Sequence, residues 1–596
     1  MLDFYGELKK ETDRLKTKEQ ILGKASIQPY AASNSGNRKI MQGVQYEHAM
    51  AIRYTEIPYV GTGYENRYGD EASSIIRAES DYKVIAKIPK YMDKPNMHYF
   101  IIFQDLQTGI LDYHEVIGYK HTSEAYGWLY DNSAYDNLEV GYTVPKGEIL
   151  RKTYAYDAHI NRCDGVNMLT GYIAKDELTE DEIEISDVAQ KKLVTPLIKV
   201  CTIPLNENDI FLNRLGDSET YKSFPDIGEE VKDGILCSLR KEKIEECLFA
   251  QTAERLKHEM MSDTNYTVKG TVVDINIECN SPEIFGKYSN QQLLKYYNDR
   301  RRFNEELVSA VCSVTNIDAS NTVTYRLKKL VRHAQAEMQG VLFLNDKPKP
   351  YKGALVEFTV LEMNLPIKGD KITNRYGGKG VIVKVTPADQ MPMLDDGRRL
   401  DIIFNSSTCV NRLNPGQLKE MSLNFCSSRI LQHLNEAAIS RNDAIKIIYD
   451  YMSIVAPEEA ESFYDLMYNS GYTVNDIDWY LNNMIDQGHI LLSARPITEN
   501  LTLDALREVY RRFPFIKPYT VMSPMKDSNG NIRYIKGRRT LVCGETYIYR
   551  LKQYAEEKFM VTSLSATNIR NENTKSKANK NYRSLYANTP IRFGNM

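Results

Sequence analysis

Cysteine is sparse and solitary in this chain: nine residues in 596, scattered from Cys163 to Cys543 with no Cys-x-x-Cys pair. That spacing argues against a zinc site or a disulfide framework, so reduced thiols are the expected state. No apolar run approaches the roughly 20 residues of a membrane span. The opening Met1-Leu-Asp-Phe-Tyr-Gly-Glu-Leu-Lys-Lys lacks the charged-then-apolar layout of a secretory signal. There is no basic excess either. The formal net charge is −3, whereas a protein that grips duplex DNA by itself is usually basic. Any nucleic-acid surface must then be a local channel, offset by acidic faces elsewhere. What remains is an ordinary cytosolic folded chain, 42% hydrophobic and 26% charged, long enough for about three to five domains.

The densest signal is Lys368-Gly-Asp-Lys-Ile-Thr-Asn-Arg-Tyr-Gly-Gly-Lys-Gly380, which places four cations and four glycines in thirteen residues. Before it, Val356, Phe358 and Val360 alternate as in a strand, and after it comes the β-branched run Val381-Ile-Val-Lys-Val385. Two strands around a basic glycine-rich loop suit an anion held near the backbone, since glycine permits close approach and Lys and Arg neutralise phosphate oxygens. A solvated basic hairpin has the same composition, and these residues alone leave both readings open. A Walker-type phosphate loop is excluded, because Lys379 is followed by Gly380 where a metal-binding Ser or Thr is required.

Downstream lie Asp389-Gln-Met-Pro392, Asp396-Gly397, Leu400-Asp-Ile-Ile-Phe-Asn405 and Asn411-Arg-Leu-Asn-Pro-Gly-Gln417. In order and spacing this series resembles the active-centre segment of the β (second-largest) subunit of multisubunit DNA-dependent RNA polymerases. Tyr376 stands where that family usually has His. Upstream, Asn34-Ser-Gly-Asn-Arg-Lys-Ile-Met41 and Pro58-Tyr-Val-Gly-Thr-Gly-Tyr-Glu65 resemble two further elements of the family, with Glu47 where relatives often carry a second arginine. Val140-Gly-Tyr-Thr-Val-Pro-Lys-Gly-Glu-Ile-Leu150 resembles one of its barrel strands. Gly165-Val-Asn-Met168 and Glu180-Asp-Glu-Ile-Glu-Ile-Ser-Asp187 resemble the approach to its acidic pair. Read without those neighbours, residues 179–187 are a solvated acidic edge.

The resemblance implies a multidomain α+β fold: the C-terminal half of a β subunit, with the double-psi β-barrel hybrid-binding region, a flap or wall and a helical anchor. Residues 1–135 would form an external, fork-side region and 136–187 the first part of the barrel. Residues 188–352 would be the flap, placed by order alone; here Ser289-Asn-Gln-Gln292 reads as a capping box opening a helix with Arg300, Arg301 and Arg302 on its solvent side. The second barrel part would span 353–425, the helical anchor 426–520 and a clamp-base segment 521–596. The periodicity predicts helices over 443–455 and 458–468, broken by Pro457.

Carried over motif by motif, the family implies catalytic roles for Lys371, Lys379, Glu180 and Asp181, and nucleotide contacts for Arg412 and Arg38. It also implies nucleic-acid contacts for Arg375, Lys368 and Lys558. Asp181, with Glu180, would lie near a second Mg²⁺ through water, and no zinc is expected. The Asp-x-Asp-Gly-Asp string that chelates the first Mg²⁺ in the family is absent from the sequence, so a separate largest-subunit (β′) chain would have to supply it. The implied partners are DNA template, RNA product, nucleoside triphosphates, an N-terminal β chain and a possible promoter-specificity factor, with no membrane. A β subunit divided in this way resembles those of giant tailed bacteriophages, acting in the cytoplasm of a bacterial host. The basic tract Asn568–Asn581 reads as a loop that orders on nucleic acid or a partner, and the tail Pro590-Ile-Arg-Phe-Gly-Asn-Met596 as a contact with the largest subunit. A non-catalytic nucleic-acid-binding scaffold is the rival reading; retention of clustered charge at Lys371, Lys379, Arg412 and the acidic pair argues against it.

Overall fold

A computed structural model describes residues 23–555, apart from 71, 73, 96, 122–126, 176, 206–208, 218–219, 242–263, 280–290, 316–321, 342, 345–346, 349–352, 438, 470, 498–500, 527–531 and 553–554. The chain forms two compact units, Met1–Ser73 with Tyr154–Thr195 and Leu365–Phe559, and Ser74–Thr153 with Pro196–Asn364 and Met560–Met596. Ser289, Lys558, the basic tract and the tail lie outside the described residues.

The first unit is built on a closed six-stranded barrel. Its strands are β1 (Val166–Tyr172), β2 (Glu182–Ser186), β3 (Lys371–Asn374), β4 (Gly380–Thr386), β5 (Ile402–Phe404) and β6 (Gly544–Arg550), in the order β1-β5-β2-β4-β3-β6 and back to β1. The β1–β5 and β2–β4 pairings are parallel and the rest antiparallel. Parallel neighbours cannot be joined by a tight turn, so each such pair demands a long crossover. The sequence provides one by leaving this unit after Thr195 and returning at Leu365. β-Branched side chains, stiff at χ1 and suited to a pleated surface, fill the interior. Val166, Ile185, Ile372, Ile382, Ile402 and Ile548 are each 0% exposed.

Helices cover the barrel within the same unit. The longest after the barrel hairpin, Gly416–Glu436, packs against β6, where Asn424 Nδ2 donates to the Glu545 carbonyl at 2.8 Å. Gly544 permits that approach: a Cβ there would stand 2.2 Å from the Met421 carbonyl oxygen. The next helices run Arg441–Val455, Pro457–Tyr468, Val474–Gln487 and Leu503–Arg512. Ser440 caps the first, Thr473 and Asp476 form a capping box on the third, and Gly488 ends it in the left-handed region at φ 72°. Pro457 opens a helix in its first turn, where a missing N–H costs little.

Three expectations are corrected here. The stretch Val140–Leu150 is not a barrel strand; positive φ at Gly141 and Gly147 turns the chain twice, leaving the short strands Thr143–Val144 and Ile149–Thr153 in two sheets of the second unit. The barrel instead takes its sixth strand, β6, from the segment expected to belong to the clamp base. The basic segment is not one loop between two strands either. Val356, Phe358 and Val360 lie in Ala354–Asn364, which belongs to a three-stranded sheet of the second unit, while Lys371–Asn374 inside the segment is itself a barrel strand.

The second unit carries two four-stranded and two three-stranded sheets and the helices Gln291–Val314 and Tyr325–Met338. Its mostly covered Asp274 accepts from Lys90 Nζ at 3.0 Å and from Tyr91 Oη. Burial works against that charge, but Lys90, His98 and Tyr91 hold the Asp274 carboxyl well below the usual range. Arg300, expected on the solvent side, instead forks onto Glu337 at 3.0 Å and donates to Asn276 at 2.9 Å, because a neighbouring helix covers it; Arg301 stays exposed. Among the described residues no helix is long and apolar enough to cross a membrane.

His114 in this unit faces Tyr135 Oη at 2.7 Å, and burial, assisted by the charge of Arg326, lowers its pKa to about 4. An unfolded His titrates near 6.5, so the unfolded chain takes the proton first. The stabilisation is therefore complete above about pH 6.5 and is lost as pH falls towards 4, by at most about 3 kcal/mol. His114→Gln should flatten the fall in unfolding midpoint between pH 7 and pH 4.5, as measured by urea titration.

Candidate active site

The site begins with the turn that joins β3 to β4. Gly377 sits at φ +73°, and a Cβ there would also press to 3.0 Å from the Arg38 carbonyl oxygen, so glycine answers both conformation and space. The Gly377 carbonyl accepts from Arg38 Nη1 at 3.0 Å. Arg38 itself stands in the first turn of helix α1 (Gly36–Glu47). On the other side of the hairpin, Val381 N–H donates to the Asp181 carbonyl at 2.9 Å, and a Cβ on Gly380 would lie 2.7 Å from that oxygen. The backbone of the acidic pair thus rests directly on Gly380, which gives the Lys-Gly order a packing reason.

Arg412 closes the arrangement from helix α2 (Ser407–Arg412), whose end is marked by Leu413 in the left-handed region at φ 52°. Its Nη2 meets Asp181 Oδ2 at 2.6 Å and its Nε lies 3.7 Å from Glu180 Oε1, while Asn411 Nδ2 donates to the same Glu180 oxygen at 3.1 Å. The Thr408 hydroxyl donates to the Glu180 carbonyl. Both carboxylate side chains are 48% exposed. Burial and the positive charge of Arg412 lower the Arg38 pKa, with Asp181 and Glu180 acting in the opposite sense. Arg38, Arg412, Glu180 and Asp181, from three remote stretches of sequence, therefore form one electrostatic cluster. Glu47, at the position of the family's second arginine, pairs with Lys24 at 2.5 Å.

Lys371 and Lys379 lie on the same hairpin and are half-buried; Lys371 pairs across the ladder with Val381, two residues beyond Lys379. Lys368 is exposed, and its charge helps, after the bonds from Thr179, to lower the Glu182 pKa. Arg375 corrects its expectation. It is 1% exposed, with Nη2 at 2.7 Å from the fully buried Glu420 and its guanidinium 5.3 Å from the Tyr547 ring centroid. A guanidinium held in that interior is out of reach of a phosphate. Tyr376 likewise points into the protein, where its ring packs so closely on Gly416 that a Cβ there would meet it at 2.8 Å.

The positioning groups that sequence reasoning passed over are short amides and one acid. Asn374 Oδ1 accepts the N–H groups of Tyr376 and Gly378 at 2.9 and 3.0 Å, and its Nδ2 donates to Gln417 at 2.6 Å. Gln417 donates to Asn414 at 3.0 Å, Asn414 to the Tyr376 carbonyl at 3.3 Å, and Gly416 N–H to Asn34 Oδ1 at 3.0 Å. Glu420 also accepts Tyr547 N–H at 3.0 Å, tying the hairpin, the helix and β6 together. The available signal was polar residues recurring inside otherwise apolar, glycine-marked motifs. Among the described residues no group of three or more His, Cys, Asp or Glu could hold a metal ion. Glu180 and Asp181 thus offer two half-exposed carboxylates, a set that fits a metal held partly by other ligands better than a complete chelate.

Comparison with known proteins agrees with the motif series. The family model described as RNA polymerase Rpb2, domain 6, matches residues 177–487, just over half of the chain. A DNA-directed RNA polymerase subunit beta from Chlorobium chlorochromatii (strain CaD3) is 23% identical over 500 residues, covering 68% of this chain and 37% of that protein. The subunit of the same name from Orientia tsutsugamushi (strain Boryong) is 21% identical over 633 residues, covering 91% of this chain and 43% of that one. That from Caldicellulosiruptor saccharolyticus is 23% identical over 415 residues, covering 69% and 29%. The chain spans less than half the length of each of these relatives.

Glu420→Gln should lower stability by about 3–5 kcal/mol, because it strands a buried guanidinium. Replacing both partners, as Arg375→Met with Glu420→Leu, should recover part of that loss. Urea unfolding of the two variants beside the unaltered chain measures it; equal losses for the single and double changes would show that the charge pair is not what matters there.

Proposed function

The chain belongs to the RNA polymerase Rpb2 domain 6 family, and on that premise we propose that it supplies the β-subunit share of the active centre of a DNA-directed RNA polymerase. The observation that carries the reading is the cluster of Arg38 and Arg412 with Glu180 and Asp181 beside a hairpin bearing Lys371 and Lys379. Two positive and two negative groups, each partly accessible, match a metal-bound triphosphate: guanidinium forks take phosphate oxygens and carboxylates face the cation. An exposed ion pair is worth only about 0–1 kcal/mol, so Arg412 can leave Asp181 for a phosphate at little cost.

In this reading Arg38 and Arg412 hold the triphosphate, and Lys371 and Lys379 neutralise charge at the RNA 3′ end and the reacting phosphate. Glu180 and Asp181 would face a nucleotide-borne Mg²⁺, and Lys368 and Lys558 would serve the nucleic acid. Mg²⁺, when bound, stabilises developing charge on the attacking and leaving oxygens. Positioning and charge stabilisation then lower the barrier to attack of the 3′-hydroxyl on the α-phosphorus, with pyrophosphate leaving. The metal-chelating aspartates come from a largest-subunit chain, and DNA, RNA and a second β chain complete the assembly. The two parallel pairings of the closed barrel support a double-psi connectivity. The identity to bacterial subunits is low, 21–23%, and the drifted motifs are what support the reading of a giant tailed bacteriophage origin.

Two outcomes test the assignment in the purified multisubunit complex. Lys371→Ala and Lys379→Ala should each slow RNA extension about a hundredfold or more without loss of assembly; wild-type extension by the double variant would refute their role. Arg412→Ala and Arg38→Ala should raise the nucleotide KM and slow addition, read by single-nucleotide extension over a range of nucleotide concentrations. Mass spectrometry of the same complex identifies the partner chains.

A further inference from the structure

In the first unit a two-stranded ribbon, Tyr519–Lys526 with Ile532–Leu541, stands apart from the barrel strands. Its strands contain five cations, Lys526, Arg533, Lys536, Arg538 and Arg539, and no acid. In a chain of net charge −3, that concentration is local and one-signed. Arg533, Lys536, Arg538 and Arg539 are all exposed.

The ladder is irregular where the arginines are densest. Thr520 pairs with Thr540 and Met522 with Lys536, so Val521 alone opposes Gly537, Arg538 and Arg539. Such a bulge re-aims side chains and breaks the edge that a flat ribbon would offer to another strand. Gly537 suits the crowded point, since a Cβ there would stand 3.0 Å from the Val521 carbonyl oxygen. Beside the cations, Met525 and Ile535 are 55% and 50% exposed. Cation and apolar surface together suit a phosphodiester backbone with its sugars and bases.

The root of the ribbon is fixed. Tyr519 is fully buried, with Arg429 over its ring at 3.7 Å and Arg398 Nη2 donating to its hydroxyl at 2.5 Å. Thr520 N–H donates to Asp395 at 3.0 Å, and Met393 and Met522 exchange backbone bonds of 2.9 and 2.7 Å. Nearer the turn end, at the Pro524–Tyr534 pair, the Tyr534 hydroxyl donates to the Asp389 carbonyl and accepts from Arg399 Nη1 at 2.5 Å. A surface whose base is already ordered loses less freedom on binding than a flexible basic loop.

We propose that this bulged ribbon is a nucleic-acid docking element, gripping the phosphodiester backbone through Arg533, Lys536, Arg538 and Arg539. It is distinct from the Lys371–Lys379 hairpin and Arg38–Arg412 cluster, and it rests on the polymerase reading only for the identity of the nucleic acid it meets.

The test uses the full chain and fluorescence anisotropy with a labelled duplex DNA and a labelled single-stranded RNA, over a salt series. Each phosphate contact steepens the log–log salt dependence by about 0.7–0.9. Replacing the four cations by Gln should therefore make the slope shallower by about 3. Arg538→Gln with Arg539→Gln should remove about half of that, and the corresponding double Lys variant should keep it. Should the fourfold variant unfold, as judged by its thermal midpoint, the double Gln variant decides. The DNA and RNA arms show which backbone is gripped. An unchanged slope overturns the proposal, as does a wild-type chain that binds neither probe at low salt, or a variant that loses affinity only for polyglutamate, which would mark an acidic protein partner. A complex that fails to extend RNA while the slopes behave as expected would count against the active-centre reading and leave the ribbon standing.

Discussion

The carboxamide of Asn374 holds the β3–β4 turn in shape from inside. One oxygen takes two backbone N–H groups of the turn, and the nitrogen reaches Gln417 at 2.6 Å, from which bonds run on to Asn414 and back to the Tyr376 carbonyl. All of these side chains are buried, and a buried amide left unpaired costs about 1–3 kcal/mol. The turn, the start of the long helix and, through Asn34, the start of α1 can therefore satisfy their polar groups together in only one arrangement. The charges above the turn inherit that geometry: Arg38 reads the Gly377 carbonyl, and Asp181 rests on Gly380 and Val381.

Charge is used in two different ways in this unit. Arg375 with Glu420 and Arg550 with Asp370 are ion pairs with side chains at most 1% exposed. Taken out of water, such charges cannot change partner without a large desolvation cost, so they serve as fixed joints between hairpin, helix and β6. Arg412 with Asp181 and Glu180 is the opposite case, short in distance but open to water. Solvent screens it and little is lost on breaking it. On the proposed reading, a centre that accepts and releases a polyanion is served by the second kind at the surface and the first kind beneath it.

The motif series was readable along the chain, and the structure brings Arg38, Glu180, Asp181 and Arg412 from its separate parts into one cluster. The helices Arg441–Val455 and Pro457–Tyr468 were legible to within a few residues, because their apolar period is set locally and Pro457 separates them. Strand membership was not. Val140–Leu150 and Ala354–Asn364 have strand composition, but which sheet each joins depends on partners far away in sequence. The segment after residue 520 gave no local sign that Gly544–Arg550 closes the barrel between β1 and β3.

Local chemistry thus settled, from sequence alone, which residue types could serve an anion and a cation: glycines for close approach, Lys and Arg forks, and a pair of adjacent carboxylates. It could not say which cations face water. Arg375 and Lys379 sit four residues apart in one basic motif, yet the first is sealed against Glu420 and the second is half-exposed. Backbone alternation in β3 and the turn at Gly377 sends them to different environments, and Glu420 arrives from a helix that follows later in the chain. Burial is a property of what packs on a residue from elsewhere, so only the tertiary structure could separate the structural arginine from the accessible lysine.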